Sequence, residues 1–165
     1  METTAFSVTD DVLATTSDRF VNYVIDTIIQ YALIFGLALL IGFLGEVMGS
    51  GGILDWLSGL SGIGEYLLGA IIMLCYYMVL ETYLSQTVGK FVTRTMVVME
   101  DGSKPGAGTI LKRTLCRLIP FDGLTFLSSG RGWHDTIPNT YLVKKHAFEK
   151  NRELFYAFDE IGAAE

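Results

Sequence analysis

Two carboxylates stand where a carboxylate is expensive. Asp26 is the only formal charge in the apolar run 20–44, and Glu81 is the only one in the run 66–84. A charge inside a membrane span costs on the order of 3 kcal/mol on insertion scales, so such a side chain normally faces protein or water. Desolvation raises a carboxylate's pKa and a neighbouring cation lowers it, which can poise the group to take up and release a proton or cation. Arg19 precedes Asp26 by two helical turns, roughly 10 Å along the axis, and Asn22, Tyr23 and Gln30 extend the same polar stripe. On the second run Tyr77, Glu81 and Ser85 recur at helical spacing.

The same residues admit a structural reading. Arg19 can snorkel toward headgroups. Asp26 and Glu81 can be clamped by Lys90, Arg113 or Arg117, tying a basic helix to the two apolar ones. A third polar site, Gly130-Arg131-Gly132-Trp133-His134-Asp135-Thr136, sets a histidine beside an aspartate. That pairing suggests acid–base chemistry or metal ligation. Yet the other histidine, His146, lies far along the chain, with no Cys or His at ligand spacing, and no Ser or Cys has a nucleophile's context. A turn in which Asp135 holds backbone or an arginine is the better reading. No enzyme, metal or cofactor is expected.

The elements that must position these groups follow from hydropathy. Half of the 165 residues are hydrophobic and only 18% are charged, with a mean hydropathy of +0.41. About 20 apolar residues cross a bilayer core, so 20–44 and 66–84 are read as transmembrane helices. The residues before the first are acidic, unlike the basic start of a signal peptide. Of 12 Lys and Arg, all but Arg19 follow the second span, and residues 45–65 have none. The positive-inside rule therefore puts both termini in the cytoplasm and brings the basic half to anionic headgroups. The chain's net charge of −6 and the lack of a recognition motif argue against nucleic acid.

Residues 1–17 read as a polar cytoplasmic tail, with Asp18 as N-cap of the first span. The loop 45–65 reads as a flexible Gly/Ser-rich hairpin with Trp56 as an interfacial anchor; its GSGG lacks the Lys-Ser/Thr of a phosphate loop. TMVVM at 95–99 and TYLV at 140–143 suggest two short strands. Between them, residues 109–119 form an amphipathic helix. Leu111, Leu115, Leu118 and Ile119 share one side, and Lys112, Arg113, Cys116 and Arg117 the other. Pro120 ends or kinks it, and the run to Leu127, which contains Asp122, is too short to span. An interfacial or re-entrant helix fits. Residues 146–165 read as a C-terminal amphipathic helix with Ala147, Leu154, Phe158 and Ile161 on one face. Cys75 and Cys116 are too few for a disulfide framework.

Together these pieces resemble the RDD family of small polytopic membrane proteins, named for one arginine and two aspartates. Arg19 and Asp26 match the first two, and Asp135, in WHDTIPNTYLV, the third. QTVGKFVTRTMVVMEDGSKP resembles the family's central segment and ILKRTLCRLIP its arginine-bearing helix. The resemblance covers about residues 17–145. With the elements read above, the expected fold is an all-α integral membrane protein with two transmembrane helices, an interfacial amphipathic helix and a small cytoplasmic two-strand element, in the bacterial inner membrane. Some members are described as monovalent cation/proton antiporters, and others look like accessory subunits. For the first, Asp26 and Glu81 would be the exchange site of a homo-oligomer, and Arg19, Arg113 and Arg117 would tune it. For the second, the polar network only fixes the fold and partners or lipid meet the basic helix and tail.

Overall fold

A computed structural model describes residues 6–49 and 52–163. Two helices in it are long and apolar enough to cross a membrane, α1 (Thr16–Val47) and α3 (Gly62–Leu84). Each extends past the apolar run read from sequence. The first begins three residues earlier than Asp18 would have it as N-cap. Thr15 is the cap, its hydroxyl accepting from Asp18 N while the Asp18 carboxylate accepts from Thr15 N at 2.9 Å. That reciprocal pair is a capping box, with Asp18 at the third helical position. Between the two long helices the loop is not simply a flexible hairpin, because Gly52–Ser58 forms a short helix, α2.

At the end of α3 the chain turns sharply through Ser85, which is left-handed at φ 55. The turn leads into the short α4 (Val88–Val92), capped by Thr87. Next comes β1 (Thr95–Met99), paired antiparallel with β2 (Thr140–Lys144), Thr95 opposite Lys144 and Met99 opposite Thr140. Both strands fall where β-branched runs predict them. Alternation gives this small sheet two faces. One carries Thr95, Val97, Thr140 and Leu142, all buried. The other carries Val98 and Val143, packed with Phe6, Val12 and Phe148.

The N-terminal segment is therefore more than a polar tail. Leu13 bridges Val143, Ala14 N donates to Leu142 O at 2.9 Å, and Phe6 stacks edge-on against Phe148. The C-terminal helix, α8 (Lys145–Ala163), covers the same face of the sheet through Phe148 and Phe155. Leu154 and Phe158, expected on a packing face with Ala147, are exposed instead; the Ile161 side chain lies outside the described residues. The apolar groups at 148 and 155 lie two turns apart and outcompete the 154/158 pair for the one available core.

Residues between the strands form α5 (Ala107–Cys116), α6 (Asp122–Ser129) and the single turn α7 (Trp133–Thr136). The expected helix over 109–119 thus ends at Cys116, and Pro120 stands in the elbow before α6. Its two faces separate as the wheel divides them, except that Lys112 is exposed. Arg113 and Cys116 are buried, whereas Leu111, Leu115 and Ile119 are exposed. The basic side of α5 points into the protein because only there do Glu81 and Asp135 offer counter-charges.

Candidate functional site: a buried charge network

Asp26 lies on the buried side of α1, 2% exposed, and its carboxylate accepts three hydrogen bonds. Tyr76 of α3 donates its hydroxyl at 2.9 Å, Thr87 its hydroxyl at 2.6 Å, and Gly89 its backbone N–H at 2.8 Å. All three donors are neutral, and Asp26 forms no ion pair among the described residues. Position 89 must be glycine for this contact. A Cβ there would stand 2.6 Å from Asn22 O and 3.0 Å from Asp26 Oδ1. One turn earlier on α1, Asn22 donates to Thr95 at 3.1 Å and accepts from Thr93 at 2.6 Å, fastening the helix to β1.

Glu81 is solved in the opposite way. It is fully buried and surrounded by three cations. Lys90 pairs with Oε1, Arg113 Nε donates to Oε2 at 3.0 Å, and Arg117 reaches Oε1 at 3.2 Å. Arg113 continues the chain. Its Nη1 pairs with Asp135 and donates to Thr140, and Arg19 pairs with the second oxygen of Asp135. Five helices, α1, α7, α5, α3 and α4, thus meet through one connected set, Arg19–Asp135–Arg113–Glu81–Lys90, and Thr140 joins β2 to it. Arg117 also lies over the Tyr77 ring, 4.0 Å from its centre.

The His-Asp turn is part of the same structure. Asp135 faces the arginines, while His134 turns to Asp122, its Nδ1 at 2.7 Å and its backbone N–H donating at 2.9 Å. Asp122, which argued against a span over 118–127, is 1% exposed and has its partner in His134. Gly132 permits the arrangement, since a Cβ there would meet the His134 ring at 2.5 Å.

Charges outside the two long helices respond to this setting. Burial would raise the Asp135 carboxyl, but Arg113 and Arg19 outweigh it and hold the group well below the usual range. Burial, helped by the repulsion of Arg117, pushes His134 down to about 4, so the imidazole is neutral. Lys90 is lowered to about 8, because burial and the repulsion of Arg113 and Arg117 exceed the attraction of Glu81 and Asp26. Arg19, Lys90, Arg113 and Arg117 therefore stand against Asp26, Glu81, Asp122 and Asp135: four cations and four carboxylates, with His134 uncharged. A small cavity of about 30 Å³ lies among Arg19, Asn22, Asp26, Lys90, Arg113 and Arg117, enough for ordered water.

Arg19, Asn22, Asp26, Tyr77, Glu81, Lys90, Arg113, Arg117, His134 and Asp135 are thus brought together as the sequence suggested. Gln30 lies at the edge of the cluster, its side chain hydrogen-bonded to Tyr77, half-buried on the wall of a groove between α1 and α3. Tyr76, Thr87, Gly89, Asp122 and Thr140 were missed. Thr87 carried a signal, a hydroxyl just before a new helix; the others have none at the level of local pattern.

A chain with an Arg-Asp-Asp set joining two apolar helices to a small sheet belongs to a recognisable class. The model of the RDD family matches residues 13–144. The chain belongs to this family of membrane proteins. No curated protein and no solved structure matches it.

Proposed function

We propose that the protein is a non-enzymatic scaffold or accessory subunit of a larger membrane assembly, either with other chains or as a homo-oligomer. On this reading α1 and α3 cross the bacterial inner membrane, with both termini cytoplasmic. One observation carries it: Glu81 and Asp135 are saturated by fixed cations, so the network is balanced without any mobile ion. A carboxylate that pairs with Lys90, Arg113 and Arg117 has little left to offer a passing cation. The network instead ties α1, α3, α5, α7 and β2 into one unit on the sheet side. Residues 6–17 and α8 extend that unit into the cytoplasm. With Arg19, Lys90, Arg113 and Arg117 turned inward, contact with anionic headgroups falls to the exposed Arg94, Lys104 and Lys112.

A second reading, monovalent cation/proton exchange, keeps one observation in its favour. Asp26 is the buried carboxylate of α1 with neutral partners only, and it borders the small cavity. Purified protein in proteoliposomes that hold an inward-acid pH gradient decides between them. The scaffold reading expects no collapse of the gradient on adding sodium, lithium or potassium. Cation-dependent collapse in the wild type that disappears in Asp26→Asn, with both proteins equally folded, would replace it with exchange.

A further inference from the structure

The leucine side of α5 has no partner in the fold, and the direction of α5 shows where that side lies. Following the chain from Lys104 to Leu118, its contacts move steadily down α3. Lys104 Nζ donates to Tyr83 O at 2.8 Å, Arg113 meets Glu81, Arg117 covers Tyr77, and Leu118 O accepts from the Tyr66 hydroxyl at 3.3 Å. Tyr66 and Glu81 are separated by about 22 Å of helix axis, most of a bilayer core of roughly 30 Å. The elbow residues Ile119, Pro120 and Phe121 line one groove with Tyr66, Gly69 and Met73 of α3. The chain then turns back, and Asp122, the first residue of α6, is held at the end of the elbow by His134.

The elbow is built for a place without water. Hydrocarbon demands that backbone groups be satisfied internally. The amides of Arg117, Leu118, Ile119 and Asp122 donate to Thr114 O, Leu115 O, Cys116 O and Ile119 O, and that of Leu124 to Phe121 O. Pro120 has no amide to satisfy. Tyr66 serves the Leu118 carbonyl. Phe121 takes the left-handed conformation, φ 70, which closes the turn tightly. Its ring is 79% exposed, and Leu115, Ile119, Leu124 and Leu127 are exposed beside it.

Resting on the membrane setting proposed above, we infer that α5, the elbow and α6 form a re-entrant hairpin. It enters the bilayer from the sheet side, turns back within it, and presents Leu115, Ile119, Phe121 and Leu124 to lipid acyl chains. Arg113, Arg117 and Asp122 travel with it on the inner side, which is how the two arginines reach Glu81 and Tyr77. The occupant of the exposed ridge is hydrocarbon, because the ridge continues the apolar surface of α3 at the depth of Tyr66 to Met73; Arg113, Arg117 and Asp122 face away from it, and the exposed Lys112 stands nearer the sheet side, where headgroups lie.

Tryptophan quenching measures that depth. With Trp56→Phe and Trp133→Phe as background, Phe121→Trp and, separately, Phe35→Trp on α1 are reconstituted into phosphatidylcholine–phosphatidylglycerol vesicles. The lipid carries bromine either at mid-chain or close to the headgroup. The hairpin expects both probes to lose more emission to mid-chain bromine. Leu124→Trp, which leaves the left-handed position untouched, gives the same ordering and covers a Phe121 variant that misfolds. If Phe35→Trp is quenched at mid-chain but the hairpin probes are quenched only near the headgroup, or by neither lipid, the hairpin is wrong and the membrane setting stands. If no probe is quenched, both fall.

Discussion

Asp26 and Glu81 occupy corresponding places on the two long helices, each buried and each toward the sheet side, yet one is held by neutral donors and the other by cations. Two hydroxyls and an amide around Asp26 spread its charge without fixing a counter-ion. Lys90, Arg113 and Arg117 around Glu81 make it one link of an ion chain that continues through Arg113 to Asp135. The contrast teaches that burial alone does not assign a carboxylate's role. Removing a neutral donor from Asp26 costs a hydrogen bond, whereas removing a cation from Glu81 leaves a bare charge in a medium that cannot screen it.

The largest effect should therefore come from Arg113, which serves both Glu81 and Asp135. Arg113→Met is expected to destabilise by at least about 3–5 kcal/mol, the range for breaking a buried pair, seen as loss of the monodisperse fraction on mild heating in detergent. Glu81→Gln comes next at about 3 kcal/mol, because Lys90, Arg113 and Arg117 then face no carboxylate on α3. Asp26→Asn should cost less, about 1–3 kcal/mol: the amide keeps one acceptor oxygen but turns a donor toward Thr87 or Gly89. A cost for Asp26→Asn equal to that of Glu81→Gln would erase the distinction between the two carboxylates.

Which parts of this were legible in the sequence follows from the physics of each signal. A charge in an apolar run is improbable enough to point at itself, so Asp26, Glu81 and Arg19 stood out, and Lys90, Arg113 and Asp135 followed as counter-charges. The orientation of α5 followed only through those counter-charges. A helical wheel separates leucines from arginines, but which side faces inward depends on the surroundings, and here the interior holds the counter-charges. The partner of Asp122 was not legible either: His134 lies twelve residues on, across a turn that no local pattern places. The N-terminal segment was read as a tail for its acidic residues, although Phe6, Val8 and Val12 among them carry the groups that pack on the sheet.

pH probes the network through Lys90 and His134. Lys90 falls from 10.5 to about 8, so between those values the unfolded chain holds more protons than the folded one, and raising the pH should stabilise the protein. The gain is on the order of a few kcal/mol at most, and Lys90→Met should flatten it. His134 falls from 6.5 to about 4. Across that window the unfolded chain again binds more protons, so stability should drop as pH falls from 6.5 toward 4. His134→Asn, which can still donate to Asp122 but does not titrate, should remove that drop. Thermal midpoints across the two windows check both slopes, and a wild type flat from 8 to 10.5 would mean that Glu81 fully offsets the burial of Lys90.

The smallest effect tests the Asp26 side most directly. Thr87→Val keeps the shape of the side chain but removes the hydroxyl that donates to Asp26 at 2.6 Å and caps α4. The expected loss is about 1–2 kcal/mol, and Thr87→Ser should recover most of it by restoring the oxygen. Asp26→Asn combined with Thr87→Val should cost less than the sum of the two, because each removes part of the same contact. Thr87→Val combined with Glu81→Gln should be additive, since the two carboxylates share no partner. Non-additivity in that second pair would show that Asp26 and Glu81 belong to one coupled network after all, with Lys90, placed between them, as the link.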